Sequence, residues 1–362
     1  MMKILFVLHL PPPVHGASVM GKVIHDSKAL NEVFQTTYVN LTLATDMKDV
    51  GRFSFHKPAA FFRVRRQIRE AVRRFQPDLV YMTPAICLPG FLKDALYVRM
   101  LKRMGCRLVL HLHNKESRWM KSGLFRPLYK RFFDRTKVIL LSERLYPEIA
   151  PFMGRDSVFI CPNGVDAAPV GHHRGQVPQI LFLSNLIRSK GVSILLDACG
   201  LLAEQGVSFR CELVGKETGD YSSTTLEAEI REKGLADRVH YAGPKYGTDK
   251  WSAFSGADVF VFPSWYSAEC FPLVVLEAMA AGLPIVTTAI GAIPDMVRDG
   301  ENGFICPAKD AVSMAEAIRK LLIDRDLRIE MGECGRRRFQ NEFTAEAFES
   351  RLIGILKQAL SS

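Results

Sequence analysis

The chain has 362 residues, 48% of them apolar and 24% charged, with a formal net charge of +10 at pH 7. This composition excludes a disordered or fibrous protein, and the length predicts two domains that each bury a core. No uncharged apolar run reaches the roughly 18 residues that a membrane span needs. The first predicted element is a strand at residues 4–8, because the apolar stretch before Pro11 is too short for a signal peptide and has no cleavage site.

Short apolar runs alternate with helical-period segments along the rest of the chain. The runs are rich in β-branched and aliphatic residues without strict alternation, as expected for parallel strands that are covered on both faces. This alternation predicts a doubly wound α/β protein. The predicted strands are at residues 4–8, 79–82, 108–112, 138–141, 158–161, 180–183, 210–214, 259–262 and 285–288.

The periodic pattern is interrupted at residues 167–179 by a stretch rich in Pro, Gly, His and Ala. After it the opening pattern returns, since the apolar run at residues 179–184 is similar to that at residues 3–8. We therefore expect two Rossmann-like domains with a ligand site in the cleft between them, beyond the carboxyl ends of the strands. The expected domains are residues 1–168, closed by a C-terminal helix at 345–362, and residues 169–344.

The eight cysteines are far apart and form no Cys-x-x-Cys pair. Several lie in apolar segments, where cysteine acts as a small hydrophobic residue. This pattern argues against a disulfide framework and against a zinc site, and it favours a reducing compartment. We therefore expect a cytoplasmic protein.

Positive charge is concentrated in the first predicted domain. Residues 1–168 contain 27 Lys and Arg against 13 Asp and Glu, whereas residues 169–362 contain 21 against 25. Bases interleave with apolar residues at 61–75 and 115–137, which suits an amphipathic surface on anionic lipid. The same spacing fits ordinary helices with a core-facing stripe and solvated bases, so both interpretations stay open. No recognition motif accompanies the bases, so nucleic acid is not an expected partner.

We expect the chemistry to lie in residues 261–303. Pro272 suits the first turn of a helix and Gly282 its end, so the helix would begin beyond a strand with its free N–H groups available to an anion. Glu277 interrupts this nearly apolar helix, and a buried carboxylate needs a partner. The adjacent hydroxyls of a ribose are one candidate partner, and a structural arginine is the other. Glu269, eight residues earlier, can face the same ligand from the loop.

This stretch resembles the Glu-x7-Glu signature of the family-four retaining glycosyltransferases, which have the GT-B fold of two Rossmann-like domains facing across a cleft. Further segments resemble that family's glycine loop, histidine loop, interdomain motif, Glu-Lys-Gly motif and the tail of its pattern, and they occur in the same order. These segments are residues 11–16, 110–114, 162–166, 189–191, 291–295 and 299–303.

The resemblance implies roles for particular residues. Glu277 would hold the ribose hydroxyls, and Lys190 would bind the diphosphate. Glu269 and His113 would contact the donor sugar near its anomeric carbon. Asn185 stands where the family usually has an arginine, and Arg188 would take over its contact with the diphosphate. The backbone groups expected to assist Lys190 belong to Gly16, Cys270, Phe271, Leu273 and Val274.

The resemblance also implies a function, a hexosyltransferase that uses a UDP- or GDP-sugar and retains the anomeric configuration. It would need no metal and no cofactor, since the nucleotide sugar is a substrate and catalysis is mostly positioning and stabilisation of the departing diphosphate. The basic first domain favours a polyprenyl-linked or other glycan acceptor, with the protein peripheral on the inner face of the cytoplasmic membrane. Two other functions remain open, a nucleotide-sugar 2-epimerase of the same fold and a sugar-nucleotide-binding subunit without turnover.

Overall fold

A computed structural model describes residues 1–42, 57–115, 118–167 and 175–361. The chain divides into two compact units, Met1–Gly164 with Ala345–Ser362, and Val165–Thr344. The division therefore falls between Gly164 and Val165, while the predicted boundary between residues 168 and 169 lies outside the described residues. Within the described ranges, no helix combines the length and the apolar character that crossing a bilayer requires.

The first unit contains a parallel sheet of six strands in the order β2-β1-β3-β4-β5-β6. In its register, Ile4 of the first strand pairs with Thr36 on one side and with Leu79 on the other. The central strands are buried along their length because helices cover the sheet. The strands are β1 Lys3–Leu8, β2 Gln35–Asn40, β3 Leu79–Met82, β4 Leu108–His111, β5 Lys137–Leu140 and β6 Val158–Ile160.

The helices of the first unit include one with an apolar stripe facing the core and a strongly basic outer face. On this helix Val64, Ile68 and Val72 are buried, whereas most of its arginines are exposed. Residues 61–75 therefore form a helix with a core-facing stripe, a geometry that fits both interpretations of its basic face. The helices are α1 Gly16–Asp26, α2 Lys28–Val33, α3 Lys57–Phe75, α4 Gly90–Arg103, α5 Arg126–Phe133 and α6 Tyr146–Ile149.

The second unit contains another parallel sheet of six strands, in the order β12-β11-β10-β7-β8-β9. The strand β10 is central, and Phe260 pairs with Leu181 on one side and with Ile285 on the other. Together the two sheets confirm the predicted doubly wound α/β class. The strands are β7 Gln179–Leu183, β8 Arg210–Val214, β9 Val239–Tyr241, β10 Val259–Phe262, β11 Ile285–Thr288 and β12 Gly303–Cys306.

The helices of the second unit cover its sheet. The helix at Val192–Glu204 packs against the helix at Ala311–Ile323, and Leu195 and Ile318 are fully buried at this contact. Each such side chain contributes about 1.5–3 kcal/mol to stability. The helices are α7 Val192–Glu204, α8 Ser223–Glu232, α9 Gly247–Ser255, α10 Leu273–Ala280, α11 Ile293–Met296, α12 Ala311–Ile323 and α13 Arg325–Glu342.

Helix α13 packs against α10. Gly332 of α13 lies so close to α10 that a Cβ atom at this position would be 2.1 Å from the carbonyl oxygen of Gly282. Only a glycine permits this approach. The last helix, α14 at Ala345–Ser361, belongs to the first unit, where it buries Phe348 and packs against α2.

Candidate active site

An ion pair lies at the carboxyl edge of the second sheet. The Lys190 ammonium is bonded to Oε2 of Glu269, and the Ser264 hydroxyl donates to the same oxygen at 3.3 Å. Lys190 follows β7 and Glu269 follows β10. Because these two strands are parallel neighbours, residues beyond their carboxyl ends meet at one edge. Both side chains are largely buried, with 14% of Lys190 and 9% of Glu269 exposed.

Two glycines allow the loop that carries Glu269 to sit against its neighbours. Gly191 has a φ of 87°, and a Cβ atom there would be 2.1 Å from the carbonyl oxygen of Pro263. Gly291 has a φ of 58°, and its Cβ atom would be 2.4 Å from the carbonyl oxygen of Glu269. Side chains other than glycine rarely adopt this left-handed conformation. These contacts fix the position of the carboxylate.

Two aromatic rings lie near the Lys190 ammonium. Its Nζ lies 4.9 Å from the ring centre of Tyr266 and 5.5 Å from that of Phe262. Ring faces attract a cation at these distances. A compact positive charge is therefore held in place at a strand end, where an anionic ligand can reach it.

Glu277 lies on α10 and is only 8% exposed. Its Oε1 accepts a hydrogen bond of 2.6 Å from Nζ of Lys250 on α9. Its Oε2 is buried without a hydrogen-bond partner among the described residues. Burial raises the pKa of Glu277, and the adjacent Lys250 opposes that rise. The partner within the protein is thus a lysine instead of the arginine considered from the sequence, and it leaves one carboxylate oxygen unsatisfied.

Helix α10 begins beyond β10, with Pro272 as its N-cap, and ends just before Gly282, which has a φ of 70°. These are the two residues that the sequence analysis placed at its ends. The N–H groups of Leu273 and Val274 lie in the first turn, before any intrahelical carbonyl can accept from them. The preceding Cys270 and Phe271 are buried. The helix therefore presents positive backbone groups at the same sheet edge as Lys190.

The first unit contains the other two candidates, Gly16 and His113. Gly16 is the first residue of α1, and His15 caps that helix. Burial, together with the smaller effect of the nearby His15, lowers the pKa of His113 to about 3. Both ring nitrogens of His113 are buried and have no partner among the described residues. At neutral pH the ring is therefore uncharged, with one donor and one acceptor available to a ligand.

His111 and His113 are adjacent rings, 4.2 Å between centres. The hydroxyl of Tyr81 is hydrogen-bonded to Nδ1 of His111. Among the described residues, no three His, Cys, Asp or Glu side chains are grouped so that they could hold a metal ion.

Arg188 takes a different position from its neighbour Lys190. Its guanidinium lies over the ring of Tyr221, 4.9 Å from the ring centre, and its backbone N–H donates to Asp220 at 2.7 Å. The structure thus holds Arg188 against Tyr221 and does not bring it into the ion pair of Lys190.

Sequence reasoning missed Lys250 and Ser264. Lys250 lies on a separate helix, 27 residues before Glu277. The burial of Glu277 indicated that a cation is needed, but it did not indicate which residue supplies it. Ser264 lies two residues after the end of β10, and its place at a strand end was the available signal.

Two sequence profiles of known families match the chain. The profile described as Glycosyltransferase Family 4 matches residues 31–168, and the profile described as Glycosyl transferases group 1 matches residues 167–338. Together they include every candidate residue except Gly16.

Curated relatives are similar over part of their length. The putative colanic acid biosynthesis glycosyltransferase WcaL of Escherichia coli K12 is 27% identical over 244 residues, which cover 64% of this chain and 59% of that protein. Phosphatidyl-myo-inositol mannosyltransferase of Mycobacterium leprae is 34% identical over 215 residues, 57% of this chain and 54% of that protein. The chain therefore spans little more than half the length of these relatives.

A solved structure shows the same fold. Anabaena HepE in complex with UDP and glucose matches with a TM-score of 0.73 at 19% identity, over 99% of this chain and 100% of that chain. Two doubly wound parallel sheets on one chain, with this likeness, define the GT-B class of fold. On the evidence of the two profiles, which together match residues 31–338, the chain belongs to glycosyltransferase family 4.

Proposed function

We propose that the protein is a retaining glycosyltransferase, independent of metal, that moves a hexose from a UDP- or GDP-sugar to a glycan or lipid-linked acceptor in surface polysaccharide synthesis. The observation that carries this proposal is the buried Glu277 carboxylate, which has one oxygen bonded to Lys250 and the other without a partner. A buried, unsatisfied carboxylate oxygen costs about 1–3 kcal/mol or more. The vicinal hydroxyls of a ribose supply the missing donors.

The diphosphate of the donor is assigned to Lys190 and the start of α10. Lys190 is a partly buried cation, and the first-turn N–H groups of α10 add a partial positive charge at the same edge. In the absence of ligand Lys190 is neutralised by Glu269, so an incoming diphosphate shares the ammonium with that carboxylate. As the sugar leaves, negative charge grows on the diphosphate oxygen, and a preorganised cation stabilises this charge more than it stabilises the ground state.

Each unit offers a group suited to sugar hydroxyls, Glu269 in the second unit and His113 in the first. The carboxylate of Glu269 is fixed by Ser264 and by the backbone approach of Gly291, so its orientation costs little on binding. His113 is uncharged at neutral pH and offers an acceptor and a donor that the protein leaves unused. A neutral hydroxyl, which both donates and accepts, suits such a ring.

The function is tested by incubating the protein with a panel of UDP- and GDP-sugars, with and without a polyprenyl-diphosphate-linked oligosaccharide. We expect release of nucleoside diphosphate only with acceptor, and a new glycosidic bond whose anomeric configuration, read by NMR, equals that of the donor. An altered sugar formed from donor alone would identify an epimerase. Donor binding without turnover under any of these conditions would identify a binding subunit. Either result contradicts the proposal.

A lipid-linked acceptor is supported by the surface of α3, α4 and α5. A groove of about 890 Å³ between α3 and α4 combines five arginines with an apolar floor, and a second groove of about 890 Å³ lies between α4 and α5. Phe62 and Leu96 are 60% and 49% exposed on this surface. Exposed apolar groups among bases suit the headgroup region of an anionic bilayer. The arginines of the first groove are Arg65, Arg69, Arg73, Arg99 and Arg103.

Replacing four of these arginines by glutamine should abolish binding to anionic vesicles. Each base near such a surface contributes about 1 kcal/mol, so four substitutions should weaken partitioning at least 100-fold. The measurement is co-sedimentation with phosphatidylglycerol-containing vesicles in 0.1 M salt. The variant carries Arg65→Gln, Arg69→Gln, Arg99→Gln and Arg103→Gln.

The matched control removes four exposed arginines of the second unit and should bind vesicles like the parent. Absence of binding by the parent, or equal loss in the control, would remove the membrane from the proposal. The control carries Arg231→Gln, Arg319→Gln, Arg336→Gln and Arg337→Gln.

A further inference from the structure

We propose that Lys250 is a positioning residue that keeps Glu277 ionised and turned so that its second oxygen is left for the ribose hydroxyls. This inference rests on the proposed function and adds to it a residue that neither the family resemblance nor the signature motif includes. Lys250 lies on α9, outside the segment between the two glutamates of the motif.

Lys250 holds the Glu277 carboxylate through only one of its two oxygens. Nζ of Lys250 lies 2.6 Å from Oε1 of Glu277, the length of a strong charge-assisted hydrogen bond. The other oxygen, Oε2, is buried and receives no hydrogen bond from the described residues. A carboxylate paired through both oxygens would be structural, whereas this one retains acceptor capacity.

The electrostatics require a cation at this position. Glu277 is almost fully buried in an apolar helix, and loss of hydration raises its pKa. Lys250 is the titratable group that counters this rise. The charged groups on the helices packed against α10 include Asp295 of α11 and Arg338 of α13, and the Arg338 guanidinium donates to the backbone carbonyl oxygens of Asp295 and Met296.

The two protonation states of Glu277 differ in what they offer a diol. An ionised carboxylate accepts hydrogen bonds at both oxygens and makes them charge-assisted, whereas a protonated carboxyl is a weaker acceptor and needs an acceptor for its own proton. Removing the Lys250 charge should therefore raise the pKa of Glu277 and weaken ligand binding wherever the carboxyl is protonated. The loss should be recovered as rising pH ionises Glu277 again.

The test compares the parent with Lys250→Met and Lys250→Arg. The dissociation constants of uridine diphosphate and guanosine diphosphate are measured by calorimetry between pH 6 and pH 9. At each pH the dissociation constant of the variant is divided by that of the parent. Ionisation of the nucleotide affects both constants equally, so it cancels in this ratio. Lys233→Met, which removes another lysine–carboxylate pair of the same unit, with Asp197, is the matched control.

We expect the Lys250→Met ratio to fall from at least 30-fold at pH 6 to less than threefold at pH 9. Lys250→Arg keeps the positive charge and should stay within threefold throughout, as should Lys233→Met. A Lys250→Met ratio that is the same at every pH would show that Lys250 only supports the fold or contacts the ligand itself, and would overturn the inference. A ratio near one at every pH would overturn it as well.

A second readout separates this inference from the proposed function. The pKa of Glu277 is followed by carbon-13 NMR of the ligand-free protein, and it should be higher in Lys250→Met than in the parent. If the parent binds neither diphosphate, the proposed function fails and the ribose role of the pair fails with it. An unchanged pKa overturns the role of Lys250 in ionisation even where the parent binds nucleotide well.

Discussion

Replacing Lys190 by alanine should slow sugar transfer about 100-fold or more with saturating donor. The ammonium is held beyond β7 by Glu269 and two aromatic rings, so its position is set before the substrate arrives. Removing one preorganised charge-stabilising group from an active site commonly costs 100- to 1,000-fold in rate. Because the charge on the diphosphate increases as the sugar departs, we expect kcat to fall more than donor affinity does.

The substitution has a side effect that must be separated from the chemistry. Without Lys190, the Glu269 carboxylate is left largely buried and unpaired, and breaking a buried pair in this way costs about 3–5 kcal/mol of stability. The double variant Lys190→Ala/Glu269→Gln removes both charges and should recover most of the melting temperature. Its turnover should stay low. Recovery of turnover together with stability would show that Lys190 serves the fold and has no part in transfer.

The inner strands of both sheets could be predicted from the sequence, whereas of the four edge strands only β6 could. Strands such as β10 are buried on both faces, so they must be apolar and form visible runs. The other three edge strands, β2, β9 and β12, are only partly buried, and β2 is largely polar, with the sequence Gln-Thr-Thr-Tyr-Val-Asn. A partly buried strand is not required to be apolar, so its sequence pattern need not reveal it.

The candidate site shows the same division between local and tertiary information. Pro272 and Gly282 are local signals, and they bracket α10 in the structure as well. Lys190 and Glu269 could be placed at one sheet edge because they follow strands, but their ion pair depends on how closely the loop that carries Glu269 packs against Gly291. The pairing of Glu277 with Lys250 depends on where the fold places α9, for which the sequence carries no periodic signal.

Replacing Glu277 by alanine should weaken binding of the nucleoside diphosphate at least 100-fold. Two charge-assisted hydrogen bonds to the ribose are each worth about 1.5–3 kcal/mol, and every 1.4 kcal/mol corresponds to tenfold in affinity. In the free protein Lys250 already pairs with one oxygen of the carboxylate, and the packing of α10 fixes its position. Most of the hydrogen-bond energy is therefore available to the ligand. Calorimetric titration with uridine and guanosine diphosphates measures the effect.

Removing the ribose hydroxyls from the ligand shows whether the loss of affinity in Glu277→Ala arises from contacts with the ribose. A 2′,3′-dideoxynucleoside diphosphate has nothing to donate to Glu277, so parent and Glu277→Ala should bind it with dissociation constants within about threefold of one another. Glu277→Gln, which keeps the shape and one acceptor oxygen, should fall between the parent and the alanine variant for the natural ligand. If the alanine substitution weakens the dideoxy ligand as much as the natural one, then Glu277 acts through the packing of α10 and the ribose is held elsewhere.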